Sequence, residues 1–239
     1  MMRNILLAFV LAGLTACAST PLPPMSDSAA DDLMASDVAV AFVYPEKEIK
    51  YTELVYKVLW NETHATNSQF SGMWDIDREF TELFAREFEE RGVHSVPINE
   101  LLSKSGYKGF VESMRAYIPQ QQNSRVAYSV DQQTRKELRD KGIEFLIAVR
   151  GKTIQVYDQA LMDPQITMYY NLTVIDLRSG EVAYNGGFYA GGSTKVEKSA
   201  REIEDNRLAK LREVLSSSIE RHFEQDRIFK SLGLVKDAG

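Results

Sequence analysis

The side chains that most often carry catalysis are scattered along this 239-residue chain. Its three histidines, His64, His94 and His222, show no metal-binding spacing such as H-E-x-x-H, so we interpret each as a surface or partly buried residue. Two carboxylates at Asp75 and Asp77 would suit a hard divalent cation. They suit the first turn of a helix better, because the helix dipole favours negative charge there. We therefore predict no metal site and no cofactor.

A serine and a lysine, Ser105 and Lys108, match the S-x-x-K spacing of penicillin-binding enzymes. That chemistry also requires a K-T-G strand, and the chain contains no such triplet. Gly106, between the two residues, indicates an ordinary turn. The sequence also lacks the G-x-S-x-G, P-loop and dinucleotide-binding motifs. We therefore predict that the protein is not an enzyme.

Aromatic residues are concentrated in the segment 46–74, at Tyr51, Trp60, Phe70 and Trp74. Exposed aromatic side chains often anchor binding interfaces. These four residues are therefore our candidates for contact with a partner or a ligand. The simpler alternative is that they lie half in the core.

The only cysteine, Cys17, follows a segment typical of protein export. Arg3 precedes a ten-residue apolar run, Ile5–Leu14. The run is too short to cross a bilayer as a helix, which takes about 20 residues, so it predicts a cleaved signal peptide over residues 1–16. With a single cysteine, the chain can form no internal disulfide.

The residues Leu14-Thr15-Ala16-Cys17 resemble the lipobox of bacterial lipoproteins. The resemblance implies a diacylglyceryl group on the Cys17 thiol and further acylation, for instance by palmitate. Several acyl chains on one cysteine would hold the protein stably to a membrane. Lipoproteins kept in the inner membrane usually carry Asp after the cysteine, so Ala18 implies sorting to the outer membrane. We expect a lipid-anchored protein that faces the periplasm.

The charge and composition of the remaining residues exclude some partners and indicate a tether followed by one domain. Removal of residues 1–16 takes away Arg3 and leaves 27 basic against 34 acidic residues, which argues against nucleic acid and against electrostatic adhesion to anionic lipids. The proline-containing residues 17–36 predict a flexible tether that reaches about 60 Å when taut. We predict one domain over 37–225 and a polar tail over 226–239.

The hydrophobic pattern predicts the elements of this domain. Val38–Tyr44 is a continuous apolar run, typical of a strand buried on both faces. Residues 46–72 fit either a strand or a helix, and we favour a strand because β-branched and aromatic residues dominate. Pro97 favours an edge position for its strand. Strands are further predicted at 93–98, 143–150, 152–157, 166–175 and 181–189, and helices at 76–91, 99–118 (two short helices), 131–141 and 196–224.

This order of elements predicts an α/β fold with a mixed sheet and helices packed on at least one of its faces. Arg178-Ser179-Gly180 turns the chain, so the strands on either side form an antiparallel hairpin near the C-terminal end. A long C-terminal helix completes the domain. The glycine pairs Gly186-Gly187 and Gly191-Gly192 are interpreted as a strand kink and a hinge.

Three consecutive segments carry a wider resemblance: Lys141–Gly151, Ile166–Ile175 and Asp176–Val182. They contain G-I-E-F-L-I and then V-I-D-L-R-S-G-E-V, a pattern similar to that of a group of outer-membrane lipoproteins. The group includes the curli-export lipoprotein, the lipoprotein activators of penicillin-binding proteins and the amino-terminal domain of the Tol-system propeller protein. Val38–Tyr44 matches its opening strand and 76–91 its first helix. The resemblance concerns the fold, so it transfers no functional residue.

We therefore predict a non-catalytic outer-membrane lipoprotein that acts by protein–protein contact in cell-envelope assembly or export. Its partners would be the outer membrane, through the lipid on Cys17, and envelope proteins or further copies of itself. The alternative is a small-molecule or glycan-binding lipoprotein that uses the aromatic segment 46–74. A third hypothesis, an envelope hydrolase, would require a base close to Ser105.

Overall fold

Strands and helices alternate along most of the chain. The computed structural model describes residues 23–56, 61–70, 72–117, 127–159, 162–193 and 205–235. The described strands are β1 (Val38–Val43), β2 (Glu48–Tyr56), β3 (Asn61–Gln69), β4 (Ser95–Pro97), β5 (Phe145–Gln159), β6 (Met162–Asp176) and β7 (Val182–Ser193). The described helices are α1 (Asp27–Ala35), α2 (Ile76–Glu89), α3 (Ile98–Leu101), α4 (Lys104–Ala116), α5 (Gln132–Arg139), α6 (Asp205–Glu224) and α7 (Arg227–Leu232).

The long strand β5 organises the sheet. Along one side, β1 pairs in parallel with its first half and β2 pairs in parallel with its second half. Antiparallel β6 runs along the other side and pairs in turn with β7. Two short additions complete the sheet, because β4 pairs in parallel with β1 and β3 pairs antiparallel with β2. The predicted mixed sheet is therefore confirmed, and β4 lies at an edge as Pro97 indicated.

Both faces of β1 are buried, as its continuous apolar sequence predicted. Val38, Val40 and Phe42 belong to one hydrophobic core, together with side chains from α1, α2, α6 and α7. Ala39 and Ala41 belong to a second core on the opposite face, with side chains from α3, α4 and α5. The fold is therefore an α/β sandwich in which helices cover both faces of the sheet around β1.

In helix α2, the spacing of apolar residues correctly predicted which side chains are buried. Asp75 caps its start by accepting a hydrogen bond from the backbone N–H of Arg78, and Gly92 follows its end with φ of 86°. The predicted apolar face points into the core: Ile76, Phe80, Leu83, Phe84 and Phe88 are all at most 5% exposed. In the ambiguous segment 46–72, the described residues form strands β2 and β3, which confirms the strand prediction for them.

The predicted tether over 17–36 requires a correction in its second half. Helix α1 begins after Ser26, whose hydroxyl accepts a hydrogen bond from the backbone N–H of Ala29. Leu33 is fully buried in the core, and Met25 is 4% exposed. An ion pair attaches the helix to the turn after β6, because Arg178 Nη2 lies 2.9 Å from Asp32 Oδ2. We missed this helix because only Ala30 and Leu33 of its nine residues are buried.

The predicted tail over 226–239 also requires a correction. Residues Arg227–Leu232 form α7, in which Ile228 and Leu232 are fully buried. The ring of Phe229 lies 5.7 Å from that of Phe88. The folded unit therefore extends beyond the predicted 37–225 at both ends, because apolar residues in each flanking segment contact the main core.

Some predictions fall outside the described residues. These are the signal peptide 1–16, Cys17, the first part of the tether, Trp60, and the beginning of the helix predicted at 196–224. For that helix, the described part is α6, and its apolar residues Leu208, Leu211, Leu215 and Ile219 are fully buried. None of the helices in the described ranges is long and apolar enough to cross a membrane.

Candidate binding surfaces

The histidines do not come together. His64 lies on β3 near Glu62, and His94 lies between α2 and β4, 3.6 Å from Glu89. His222 on α6 is buried, and its Nδ1 shares a hydrogen bond of 2.9 Å with the hydroxyl of Tyr170. Within the described ranges, no group of three His, Cys, Asp or Glu side chains could hold a metal ion.

The S-x-x-K residues lie in a helix rather than in the predicted turn. Ser105 is in the first turn of α4, whose N-cap is Ser103, and its hydroxyl lies 3.4 Å from the Ser103 hydroxyl. Lys108 is 78% exposed and lies 3.8 Å from Glu112. The contacts of each residue are therefore those of an ordinary helix surface.

Three of the four predicted aromatic residues lie in the core. Tyr51, Phe70 and Trp74 are at most 9% exposed. The Trp74 ring contacts Phe70 at 5.8 Å and Phe80 at 5.5 Å, and its indole N–H donates to Glu79. This packing joins the β2–β3 hairpin to α2, so a place in the core accounts for these side chains. Trp60 lies outside the described residues.

On the side of α3, α4 and α5, none of the helices in the described ranges covers the part of the sheet formed by the second half of β5 and the facing parts of β6 and β7. Three tyrosines stand there, Tyr157 on β5, Tyr169 on β6 and Tyr189 on β7, with exposed fractions of 39%, 55% and 45%. Tyr169 and Tyr189 are direct cross-strand partners, and their rings meet edge to face with centroids 4.8 Å apart. We call this surface the tyrosine face.

The tyrosine face is bordered by basic residues, because Arg150 is the cross-strand partner of Asn171, Lys50 is that of Gln155, and Lys152 lies in the bulge of β5 beside Tyr169. The strand pairing places the following residues together on it: Gln155, Tyr157, Thr167, Tyr169, Asn171, Asn185, Gly187, Tyr189 and Gly191. Two of its polar side chains order each other, because Asn171 Nδ2 donates to Asn185 Oδ1 over 3.3 Å. Sequence reasoning missed this surface. The signal was a tyrosine, Tyr169, on the otherwise polar side of an alternating strand.

The glycine pairs in β7 have a packing role. Gly186 leaves room for the side chain of Tyr184, because a Cβ there would lie 2.0 Å from the tyrosine hydroxyl. The Gly191 N–H donates to Ser218 Oγ on α6, and a Cβ on Gly192 would lie 3.3 Å from Val214. These glycines belong to a continuous strand. The predicted kink at Gly186-Gly187 is therefore corrected to room for the Tyr184 side chain, and the predicted hinge at Gly191-Gly192 to a close approach of α6.

A polar cavity of about 380 Å³ lies between the start of α2, α3 and α4. Its central residue is Asp77, whose Oδ1 accepts from the Tyr44 N–H at 2.7 Å and whose Oδ2 accepts from Arg115 at 2.6 Å. Burial raises the pKa of Asp77, although these two hydrogen bonds oppose the shift. Burial, followed by the charge of Asp77, also raises the pKa of Tyr107 to about 12, so this hydroxyl remains protonated.

The comparisons with known proteins give structural similarity alone. No family model matches the chain, and no curated protein does. A hypothetical protein, CT253 from Chlamydia trachomatis, is similar in structure with 14% identity and a TM-score of 0.47, over 82% of this chain and 97% of that chain. The lipoprotein GNA1162 from Neisseria meningitidis is similar with 12% identity and a TM-score of 0.41, over 78% and 99%. Because these TM-scores are below 0.5, we base the function on this chain's own residues.

Proposed function

We propose that the protein is a non-catalytic lipoprotein of the outer membrane that faces the periplasm and acts by binding other envelope proteins. The lipid on Cys17 would hold it to the membrane. The protein would act in cell-envelope assembly or export. The observation that carries this proposal is the tyrosine face, a sheet surface on which three tyrosines are exposed and two of them are in ring contact.

The chemistry of the tyrosine face suits a protein partner. Protein interfaces are enriched in tyrosine, and tyrosine is one of the residues that most often dominate binding energy. Tyr157 lies four residues along the sheet from the level of Tyr169 and Tyr189, which is about 13 Å at 3.3 Å per residue. The surface is therefore broad enough to contact more than one side chain of a partner.

Crosslinking in intact cells tests the surface. We expect a photoreactive phenylalanine analogue at Tyr189 to capture an envelope protein, or a second copy of the chain, as a discrete product. The same analogue at Met73, which is 38% exposed in the turn before α2, is the matched control. Capture at Met73 and not at Tyr189 would refute the proposed interface.

Two variants test whether the tyrosines supply binding energy. The double variant Tyr169→Ser/Tyr189→Ser removes two exposed rings and should abolish capture of the partner in pull-downs. Met73→Ser removes an apolar side chain of comparable exposure elsewhere and should leave capture unchanged. Equal capture by the double variant and the wild-type chain would contradict the proposal.

The lipid anchor has its own test. Metabolic labelling with a palmitate analogue should label the wild-type chain in the outer-membrane fraction, and Cys17→Ser should abolish the label. Unchanged labelling of the variant would show that the lipid is attached elsewhere.

A further inference from the structure

The polar cavity lies where an α/β sheet most often binds ligands. Ligands in open α/β sheets bind at the carboxyl ends of the strands, where neighbouring connections leave towards opposite faces. Here β1 and β4 are parallel neighbours. The helix that follows β4, α3, belongs to one core, whereas α2, which begins beside the end of β1, belongs to the other. The cavity lies at this divergence, with Asp77 from α2 and Asn99 from α3 in its lining.

Two buried polar atoms beside the cavity have no hydrogen-bond partner. They are Oδ1 of Asn99 and Nε of Arg115, and both residues line the cavity. Buried polar atoms in native proteins nearly always have a partner, so these two side chains are expected to turn towards a bound molecule that supplies the missing bonds. Nε of arginine can only donate, whereas the amide of Asn99 can accept or donate. A hydroxyl group satisfies either requirement, since it both donates and accepts.

The charges of the cavity are balanced within it. Its three basic side chains each lie beside an acidic side chain of the same lining: Arg115 is 2.6 Å from Asp77, Arg78 is 3.7 Å from Asp75, and Lys108 is 3.8 Å from Glu112. No charge of either sign is therefore left over for a charged ligand. This balance favours a neutral molecule.

The aromatic and apolar residues of the lining indicate which kind of neutral molecule the cavity would bind. Tyr107, Val111 and Arg115 are four residues apart on α4, so they lie on one face of that helix. Their side chains line the cavity with, in this order, an aromatic ring, a small apolar surface and a hydrogen-bond donor. A sugar presents C–H groups and hydroxyl groups side by side, and a volume of about 380 Å³ is of the size of small-ligand sites.

We propose that this cavity binds a neutral saccharide of one or two rings. Its hydroxyl groups would accept from the Arg115 guanidinium and pair with the amide of Asn99, while a ring face lies against Tyr107. The site shares no residue with the tyrosine face, so it is a second binding function beside the proposed protein contact.

Nuclear magnetic resonance titration of the full chain in detergent micelles tests the proposal. The probes are N-acetylglucosamine and its β-1,4-linked disaccharide as neutral sugars, and glucosamine and glucuronate as charged counterparts of one ring. We expect the neutral probes to shift the amide signals of Asn99, Tyr107 and Arg115 with a Kd of about 1 mM or lower. The charged probes should bind about tenfold more weakly, because each would bring an unpaired charge into a balanced site.

Matched variants locate the binding. Asn99→Ala and Arg115→Lys should each weaken the binding of the neutral probes about tenfold, and the lysine preserves a positive charge beside Asp77. The controls are Asn67→Ala on the exposed strand β3 and Arg139→Lys on the exposed side of α5, which should bind as the wild type does. Tyr169→Ser should also bind sugar normally, which separates this site from the tyrosine face.

Three results would overturn the proposal. The first is the absence of signal shifts with any neutral probe up to about 10 mM. The second is tighter binding of glucosamine or glucuronate. The third is unchanged binding of the neutral probes by folded Asn99→Ala and Arg115→Lys.

Discussion

Replacement of Leu33 by alanine tests whether α1 belongs to the folded domain. Leu33 is fully buried and, with Ala30 and Met25, supplies the apolar contact of this segment with the core. Truncation of a buried leucine costs about 2–5 kcal/mol. Since α1 lies at one end of the described chain, it can detach without opening the sheet, which limits the loss to its docking free energy. We therefore expect about 2–3 kcal/mol.

Urea denaturation of the full chain in detergent, followed by circular dichroism, measures this effect. A loss of 2–3 kcal/mol lowers the midpoint by about 1 M for a typical urea dependence. Met34→Ala is the control on the same helix, because Met34 is 38% exposed, and it should change stability by less than about 0.5 kcal/mol. If Leu33→Ala costs as little as the control, then α1 is not docked and the longer tether is correct.

Two other positions give direct tests of the packing described above. Burial, and then two neighbouring arginines, lower the pKa of His222, which lies against Tyr170. The folded state thus favours neutral His222, so stability is complete above the unfolded pKa of about 6.5 and falls as the pH drops below it. A His222→Gln variant should lose less stability than the wild type between about pH 7.5 and about pH 5 in urea titrations, and an equal loss would refute the assignment. Gly186→Ala brings a methyl group to within 2.0 Å of the Tyr184 hydroxyl, so it should destabilise the protein by about 1–3 kcal/mol in thermal denaturation. Gly187→Ala is the control, because its methyl group meets its nearest atom at 3.7 Å, and it should be nearly neutral in the same assay.

The sequence predicted the elements whose burial repeats in a regular pattern. Strand β1 and helix α2 are examples, because a strand buried on both faces and a helix buried on one face impose different spacings on apolar residues. For the 15-residue β5, the sequence predicted a strand at 143–150 and left open whether 152–157 continues it or re-enters the sheet. The strand is continuous because the bulge between Gly151 and Ile154 leaves its pairing with β6 intact on either side.

The short flanking helices α1 and α7 could not be predicted in the same way. Each is under ten residues long, too short for a repeated apolar face, and each is held by contacts with distant residues. Leu33 reaches the core and Asp32 pairs with Arg178, 146 positions away in the chain. A proline-rich beginning and a polar ending gave no sign of such long-range contacts.

The candidate surfaces depend on strand order, which the sequence did not supply. Tyr157, Tyr169 and Tyr189 share one face of the sheet only because β6 lies between β5 and β7 in this register. The cavity likewise requires α2, α3 and α4 to converge on the end of β1. Asp77 was interpreted as a first-turn carboxylate, and it does lie in that turn. Its pairing with Arg115 could not be anticipated, since the two residues are 38 positions apart.

The docking of α1 also determines which end of the sheet lies near the attachment point. The end of α1 lies at the start of β5, because Ser36 Oγ donates to Glu144 Oε2 over 2.8 Å. Between a lipidated Cys17 and Met25 only eight residue steps remain, which span at most about 29 Å, half the reach of the longer tether. Tyr157 lies twelve residues beyond Phe145 along β5, which is about 40 Å of strand. The sheet would therefore act as a rigid spacer on a short tether, with Tyr157 towards the end away from the attachment point and Tyr169 and Tyr189 about 13 Å nearer to it.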